Sequence, residues 1–237
     1  MSIAVSLKKN LKYFDLDISF SCAKNNLLVM IGPSGSGKTT IIRMLAGLEE
    51  PKAGKVVFDD EVWFDSLRHI NAPPQKRRLG YVFQDYNLFP HLNLYENALF
   101  AAVDKKEVDE LFELFKIDHL KRRKPHMVSG GERQRCAICQ ALARHPRLLL
   151  LDEPFSALDA ITRRGLREEL KNLKSTMSFP IIYVTHDITE ALYLADEIIP
   201  VVDGKIDHQW MQKMIDREPS SESTPRAARA PRLSLAY

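Results

Sequence analysis

Leu27-Leu28-Val29-Met30-Ile31 runs without interruption into Gly32-Pro33-Ser34-Gly35-Ser36-Gly37-Lys38-Thr39. Five apolar residues in a row are the pattern of a strand buried on both faces, as in a parallel sheet. The loop that follows fits G-x-x-x-x-G-K-[ST]. Its glycines permit backbone conformations that turn several N–H groups into one anion cradle, and a helix starting at Lys38 adds partial positive charge. Lys38 is placed to reach the outer phosphates of a nucleotide, the Thr39 hydroxyl to ligate Mg²⁺, and Thr40 follows on the first turn of the helix. Strand, glycine-rich loop and helix in that order commit the chain to an α/β fold.

The remaining pattern agrees. Phe14, Leu16, Ile18 and Phe20 alternate with polar residues, so residues 1 to about 25 are expected to form short strands. The first helix should end near Leu48, with further strands at Val56–Phe58 and Leu79–Phe83. Residues 93–126 read as mostly helical, with Val108, Leu111, Phe112, Leu114 and Phe115 as the apolar face. Helices near 130–143, 161–177 and 188–195 then alternate with strands at 148–151, 181–184 and 198–202, which predicts a parallel sheet with right-handed crossovers.

Composition excludes several classes. With 237 residues, 45% hydrophobic, the chain can bury a full core. A formal net charge of +3 is too weak to mark a nucleic-acid surface. The basic runs Lys76–Arg78 and Lys121–Lys124 lack interleaved aromatics and are expected to be solvated loop charge. No apolar run approaches the roughly 18 residues of a membrane span. Lys8 and Lys9 follow the first apolar residues, the reverse of a secretory signal. Three cysteines fit a reducing compartment, and Cys136 and Cys139, in an apolar-periodic stretch without a second pair, are expected as buried small residues rather than metal ligands. From Arg217 to residue 237 the sequence has many breakers and no apolar period, so a disordered tail is expected after a domain covering 1–216.

A second chemical element ends the run Leu148–Leu151: Asp152 and Glu153, at the C-terminal end of a buried strand, where ligands bind in open α/β sheets. Asp152 is suited to hold Mg²⁺ and Glu153 to act as general base toward water. Ser129-Gly130-Gly131-Glu132 offers further N–H groups to an anion at a helix start, although a capped helix with Glu at N3 explains the local pattern equally well.

Val128 to Arg135 resembles the signature of ABC-transporter ATP-binding subunits, Leu-Ser-Gly-Gly-Gln-x-Gln-Arg, with Val128 and Glu132 as departures. Gln84 in Tyr-Val-Phe-Gln-Asp resembles the family's Q-loop, Ser156 to Asp159 its D-loop, and His186 its switch histidine, all in family order over residues 1 to about 208. The resemblance implies a P-loop NTPase cassette with a mainly parallel core sheet, an N-terminal antiparallel β subdomain and a helical subdomain at about 88–145. It implies ATP and Mg²⁺ as cofactors, with Gln84 and His186 at the reacting phosphate and Gln84 also near the metal. Ser129, Gly130, Gly131 and Asp159 would serve the opposite subunit of a head-to-tail dimer. Tyr13 is the candidate to stack on adenine, with Phe14 expected toward the core; either ring offers a π-face.

The stretch Lys76 to Leu92 most resembles molybdate-importer ATPases, though sulfate, iron(III) and polyamine importers share much of it. Partners implied are membrane permease subunits, a second copy and indirectly a substrate-binding protein, at the cytoplasmic face of the inner membrane, with no nucleic acid. A C-terminal oxyanion-binding regulatory domain, carried by many such subunits, is not expected. Soluble ABC ATPases of translation or DNA repair carry a second cassette or long coiled coils, and a P-loop kinase would leave Ser129–Gly131, Gln84 and His186 unexplained.

Overall fold

The structure is a computed structural model that describes residues 2–100, 102–217 and 232–233. β1 (Ser2–Asn10) and β2 (Asp15–Ala23) form a hairpin in register from Ser2↔Ala23 to Asn10↔Asp15. Both strands are nine residues long, not short as expected, because the alternation extends through Ile3, Val5 and Leu7 of β1, which share an interior with Leu16, Ile18 and Phe20. β3 (Leu27–Ile31), α1 (Lys38–Ala46), β4 (Ala53–Phe58), β5 (Glu61–Asp65), β6 (Ile70–Asn71) and β7 (Leu79–Val82) follow. A helical portion contains α2 (Leu94–Leu99), α3 (Lys105–Leu114) and α4 (Gly130–Leu142). The chain then alternates through β8 (Leu148–Asp152), α5 (Ala160–Thr176), β9 (Ile181–Thr185), α6 (Ile188–Leu194), β10 (Glu197–Val202), β11 (Lys205–Ile206) and α7 (His208–Arg217).

Two sheets result. One is antiparallel, in the order β2-β1-β4-β5-β6; the other runs β11-β10-β3-β9-β8-β7 and is parallel from β10 to β7. Side-chain alternation along the parallel strands splits the core. Leu27, Val29, Leu149, Leu151 and Tyr183 face the helices, whereas Leu28, Met30, Leu150 and Val184 face α1 and the antiparallel sheet. On α3, Val108, Leu111, Phe112 and Phe115 are buried as read from the sequence, but Leu114 is exposed, one residue off the i, i+3, i+4 stripe. Cys136 and Cys139 are free and buried in the helical core, and burial pushes the Cys136 thiol up to about 12. Most of the tail expected to be disordered lies outside the described residues; Arg217 ends α7, and β12 (Arg232–Leu233) pairs parallel with Glu197 and Ile198 of β10.

One basic run departs from its expected role. Arg77 is buried rather than solvated. Its Nη1 donates to the carbonyls of Met44 and Leu45 at 2.8 and 2.7 Å, its Nε to Ala72 O at 2.9 Å and its Nη2 to Asn71 Oδ1 at 3.1 Å. A guanidinium thus terminates α1, whose last carbonyls lack intrahelical donors and whose dipole favours a cation there. Burial lowers its pKa to about 10, so it remains charged at neutral pH. Lys121 is likewise engaged, pairing with Asp109 and Asp118 and lying over the Tyr95 ring. Replacing Arg77 by Met should strand several buried carbonyls and cost at least about 2 kcal/mol. Thermal unfolding should show a Tm lower by several degrees; an unchanged Tm would refute this capping role.

Candidate functional site

The C-terminal ends of four parallel strands meet at one edge of the sheet. β3 ends in the glycine loop, β8 in Asp152 and Glu153, β9 in Thr185 and His186, and β7 in Phe83 and Gln84. The loop is held close to β10: a Cβ on Gly32 would lie 1.9 Å from Val201 O, so only glycine fits there. Gly37 takes φ 98°, a left-handed conformation at the start of α1. Lys38 is buried, and its Nζ donates to Gly32 O at 2.8 Å, Pro33 O at 2.7 Å and Ser36 Oγ at 3.3 Å. Burial lowers its pKa, while Glu153 and Asp152 oppose that shift.

A cleft of about 380 Å³ opens over this loop, lined by Tyr13, Phe14, Ser34, Gly35, Gly37, Lys38, Thr39, Thr40, Gln84 and Glu153 among others. Residues read separately from four stretches of sequence therefore share one cavity. Tyr13 is exposed at its mouth with Lys12 Nζ 5.1 Å from the ring centroid. Phe14 does not face the core as expected. It sits just before β2, against Gly37 and Gly204, because the hairpin turn, closed by the Leu11 N–H donating to Phe14 O, takes it out of the strand alternation.

The carboxylates sit at the inner edge. Asp152 is 3% exposed; its Oδ1 accepts the Thr39 hydroxyl at 3.0 Å and its Oδ2 the Tyr81 hydroxyl at 3.1 Å. Burial raises its pKa, and the two hydroxyl donors pull it back down. Hard oxygen donors in such small number suit Mg²⁺, which is commonly held by one or two carboxylates together with phosphate oxygens. Glu153 adopts φ 44°, with its N–H donating to Val184 O and its carbonyl accepting from Ser156 Oγ. That strained turn aims the side chain across to His186, whose Nδ1 lies 3.1 Å from Glu153 Oε2. Below, buried Glu190 accepts from Tyr183 and Thr185 and anchors the histidine loop. Arg163 Nη2 donates to Leu158 O while Nη1 reaches Asp187, tying the loop after Glu153 to that of His186.

Ser129, Gly130, Gly131 and Asp159 do not line this cleft. Ser129 caps α4 in a reciprocal box: the Glu132 N–H donates to Ser129 Oγ, and Glu132 Oε2 accepts from both the Ser129 N–H at 2.7 Å and its hydroxyl at 2.8 Å. Asp159 caps α5 through the N–H groups of Ile161 and Thr162. The two caps pack together, since a Cβ on Gly131 would meet Thr162 Cγ2 at 2.4 Å and one on Gly130 would meet Leu158 at 3.1 Å. Asp159 and Ser129 are both exposed, and neither lines the chain's own cleft. Beside Gln84 runs a second, apolar groove of about 350 Å³ lined by Leu48, Tyr81, Phe83, Phe89, Phe100 and Arg144 among others.

Sequence reasoning missed Tyr81, Glu190 and Arg163. Tyr81 had a legible signal, being three residues before Gln84 on a strand, but its reach to Asp152 depends on β7 pairing with β8. The other two act through tertiary packing and carry no local signature.

Comparison with known proteins places these features in context. The profile of the family described as ABC transporter matches residues 16–156, more than half of the chain. The sulfate/thiosulfate import ATP-binding protein CysA 2 of Agrobacterium fabrum is 43% identical over 233 residues, 92% of this chain and 66% of that protein. The molybdenum import ATP-binding protein ModC of Albidiferax ferrireducens is 42% identical over 87% of this chain and 57% of its own length. The spermidine/putrescine import ATP-binding protein PotA of Bacillus thuringiensis is 40% identical, with 86% and 63% covered. The chain thus spans less than two thirds of these relatives. Among solved structures, the dimeric post-hydrolysis state of the cassette MJ0796 bound to ADP and Pi aligns with a TM-score of 0.72 at 27% identity, covering 88% of this chain and 97% of that one. CbiO1 from Clostridium perfringens, part of the ABC transporter complex cbiONQ, aligns at 0.76 and 25% identity, covering 91% and 93%.

The Ser129–Glu132 box predicts a pH signature. The Ser129 backbone N–H lowers the Glu132 pKa against the opposing effect of burial. A carboxylate lowered in the folded state stabilises the protein above its ordinary range, and that contribution disappears as pH falls through the folded value. Glu132→Gln should therefore lower Tm at neutral pH, and the difference should shrink toward about pH 4 and below. A Tm difference independent of pH would contradict the ionised capping box.

Proposed function

The chain belongs to the ABC transporter family, and we propose that it binds Mg²⁺-ATP in the cleft over the glycine loop and hydrolyses it to drive an importer. The observation that carries this reading is the Thr39–Asp152 hydrogen bond at 3.0 Å, which brings the phosphate cradle and the carboxylate strand into one oxygen-lined corner. Thr39 and Asp152, with Gln84 on the facing loop, would hold Mg²⁺. The ion, when bound there, would supply positive charge to offset the charge that develops on the terminal phosphoryl group. Gly32 to Thr40 supply N–H groups to the phosphates, and Lys38 exchanges its loop carbonyls for the outer phosphate oxygens. Glu153 orients a water and accepts its proton, while His186, at 3.1 Å from Glu153, orients that carboxylate and faces the terminal phosphate. Tyr13 stacks on the adenine.

A second copy completes the site. Ser129, Gly130 and Gly131 offer a helix N-terminus to an anion but lie off their own cleft, so they serve the partner's phosphates in a head-to-tail dimer, with Asp159 at the crossing. The apolar groove beside Gln84, with exposed Phe100 and Leu48, suits docking of a permease segment. No helix among the described residues is long and apolar enough to cross a membrane. The proposed complex has a permease as its membrane-spanning part, with this chain peripheral at the cytoplasmic face. Molybdate or a related oxyanion is the proposed cargo, supported by the stretch Lys76 to Leu92 and by the molybdenum-import relatives. Sulfate is the second reading, favoured by the sulfate/thiosulfate relative at 43% identity.

Glu153→Gln should leave the affinity for ATP intact and reduce turnover by about 10²- to 10⁴-fold, since it removes the base and spares the cradle. Size-exclusion chromatography with ATP should then show a trapped dimer. Hydrolysis at the wild-type rate would refute the role of Glu153. Uptake of labelled molybdate and sulfate by cells carrying Lys38→Ala separates the cargo readings: the imported anion is the one whose accumulation fails.

A further inference from the structure

We infer that Tyr81 is a positioning residue for the divalent-cation site, its hydroxyl holding Asp152 so that the other carboxylate oxygen stays turned to Thr39. The inference rests on the reading that Asp152 takes part in holding the cation. Asp152 stands at the end of β8, and Tyr81 lies one strand over on β7, paired with Leu150 in a parallel register. Its hydroxyl donates to Oδ2 at 3.1 Å, while Thr39 donates to Oδ1 at 3.0 Å. Among the described residues, these two hydroxyls are the side-chain donors to this buried carboxylate. A carboxylate turns readily about its last bond, since such sp³–sp² torsions are broad. Without a donor on Oδ2, nothing on the β7 side opposes rotation that would carry Oδ1 away from Thr39.

The phenol is itself fixed. Its ring stacks on Phe83 with centroids 4.0 Å apart and an interplanar angle of 25°. Both rings form part of the wall of the apolar groove, and two residues beyond the end of β7 stands Gln84. The carboxylate bonded to Thr39 of the nucleotide cleft is therefore braced against the wall of the neighbouring groove by one hydrogen bond. Tyr81 lines the groove with its ring and touches the cleft's metal-holding corner with its oxygen.

Tyr81→Phe keeps the ring and removes only the oxygen. Binding of a fluorescent ATP analogue to the full chain, titrated in EDTA and again with Mg²⁺, separates metal-dependent from metal-independent affinity. The EDTA affinity should match wild type, and the Mg²⁺-dependent gain should fall by at least about tenfold, the lower end of the loss expected for one hydrogen bond to a charged group. Paramagnetic resonance of bound Mn²⁺-nucleotide should show an altered spectrum, and ATPase activity should need correspondingly more Mg²⁺ for half-maximal rate while recovering at saturation. Wild-type Mg²⁺ dependence in Tyr81→Phe would overturn the inference, as would an equal loss in EDTA, which would indicate a general loosening. Asp152→Asn tells the two levels apart. If it abolishes the Mg²⁺-dependent gain while Tyr81→Phe does not diminish it, the inference fails and the reading of Asp152 stands; if it retains that gain, the reading of Asp152 itself fails.

Discussion

The rest of the site depends on a hydrogen bond between Thr39 and Asp152, residues separated by 113 positions in the chain. One stands on the first turn after the glycine loop, the other at the end of a buried strand. They meet because the sheet order places β9 between β3 and β8 and runs all three in the same direction, so their C-terminal ends open on one edge. A parallel sheet permits no other outcome: every strand's following loop emerges on that edge, and ligands collect there. The glycine loop, the Asp152 carboxylate, Glu153 and His186 thus come together as consequences of one topological choice.

That choice has a structural cost, met by specific side chains. Charged and polar groups are drawn into low-dielectric surroundings, where each must be paired. Lys38 caps carbonyls of its own loop, Arg77 caps the far end of the same helix, and Glu190 gathers two hydroxyls beneath His186. α1 is in effect held at both ends by cations of different kinds. At its start Lys38 Nζ donates to the carbonyls of Gly32 and Pro33; at its end one guanidinium nitrogen donates to both Met44 and Leu45 carbonyls. A helix so pinned presents its first turn rigidly, as an anion site on a pre-organised scaffold requires.

Much of this was legible in the sequence. The glycine loop, Asp152, Glu153, Gln84 and the helix starting at Gly130 each have a local cause, namely a backbone conformation, a strand end or a cap, and the structure puts the first four around one cleft. What escaped were features decided by distant partners. Arg77 reads as loop charge until α1 ends beside it, and Phe14 reads as a strand residue until the hairpin turn claims it. Leu114 fits a loose apolar count but not the angle of the helix. The signature serine and Asp159 have local explanations as caps, and their wider role rests on what faces them from outside the chain.

The cleft is lined by the glycine loop and Glu153 but not by Ser129, Gly130 or Gly131 at the start of α4, an arrangement that fits the proposal of a site shared between two copies. The direct measurement is steady-state ATP hydrolysis by Ser129→Arg and Lys38→Ala proteins, each alone and then mixed. Either variant alone should be inactive, with Ser129→Arg still binding ATP as a monomer. The mixture should regain activity from its one intact composite site. A mixture as inactive as its components, or loss of monomer ATP binding in Ser129→Arg, would contradict the claim that two copies build the site between them.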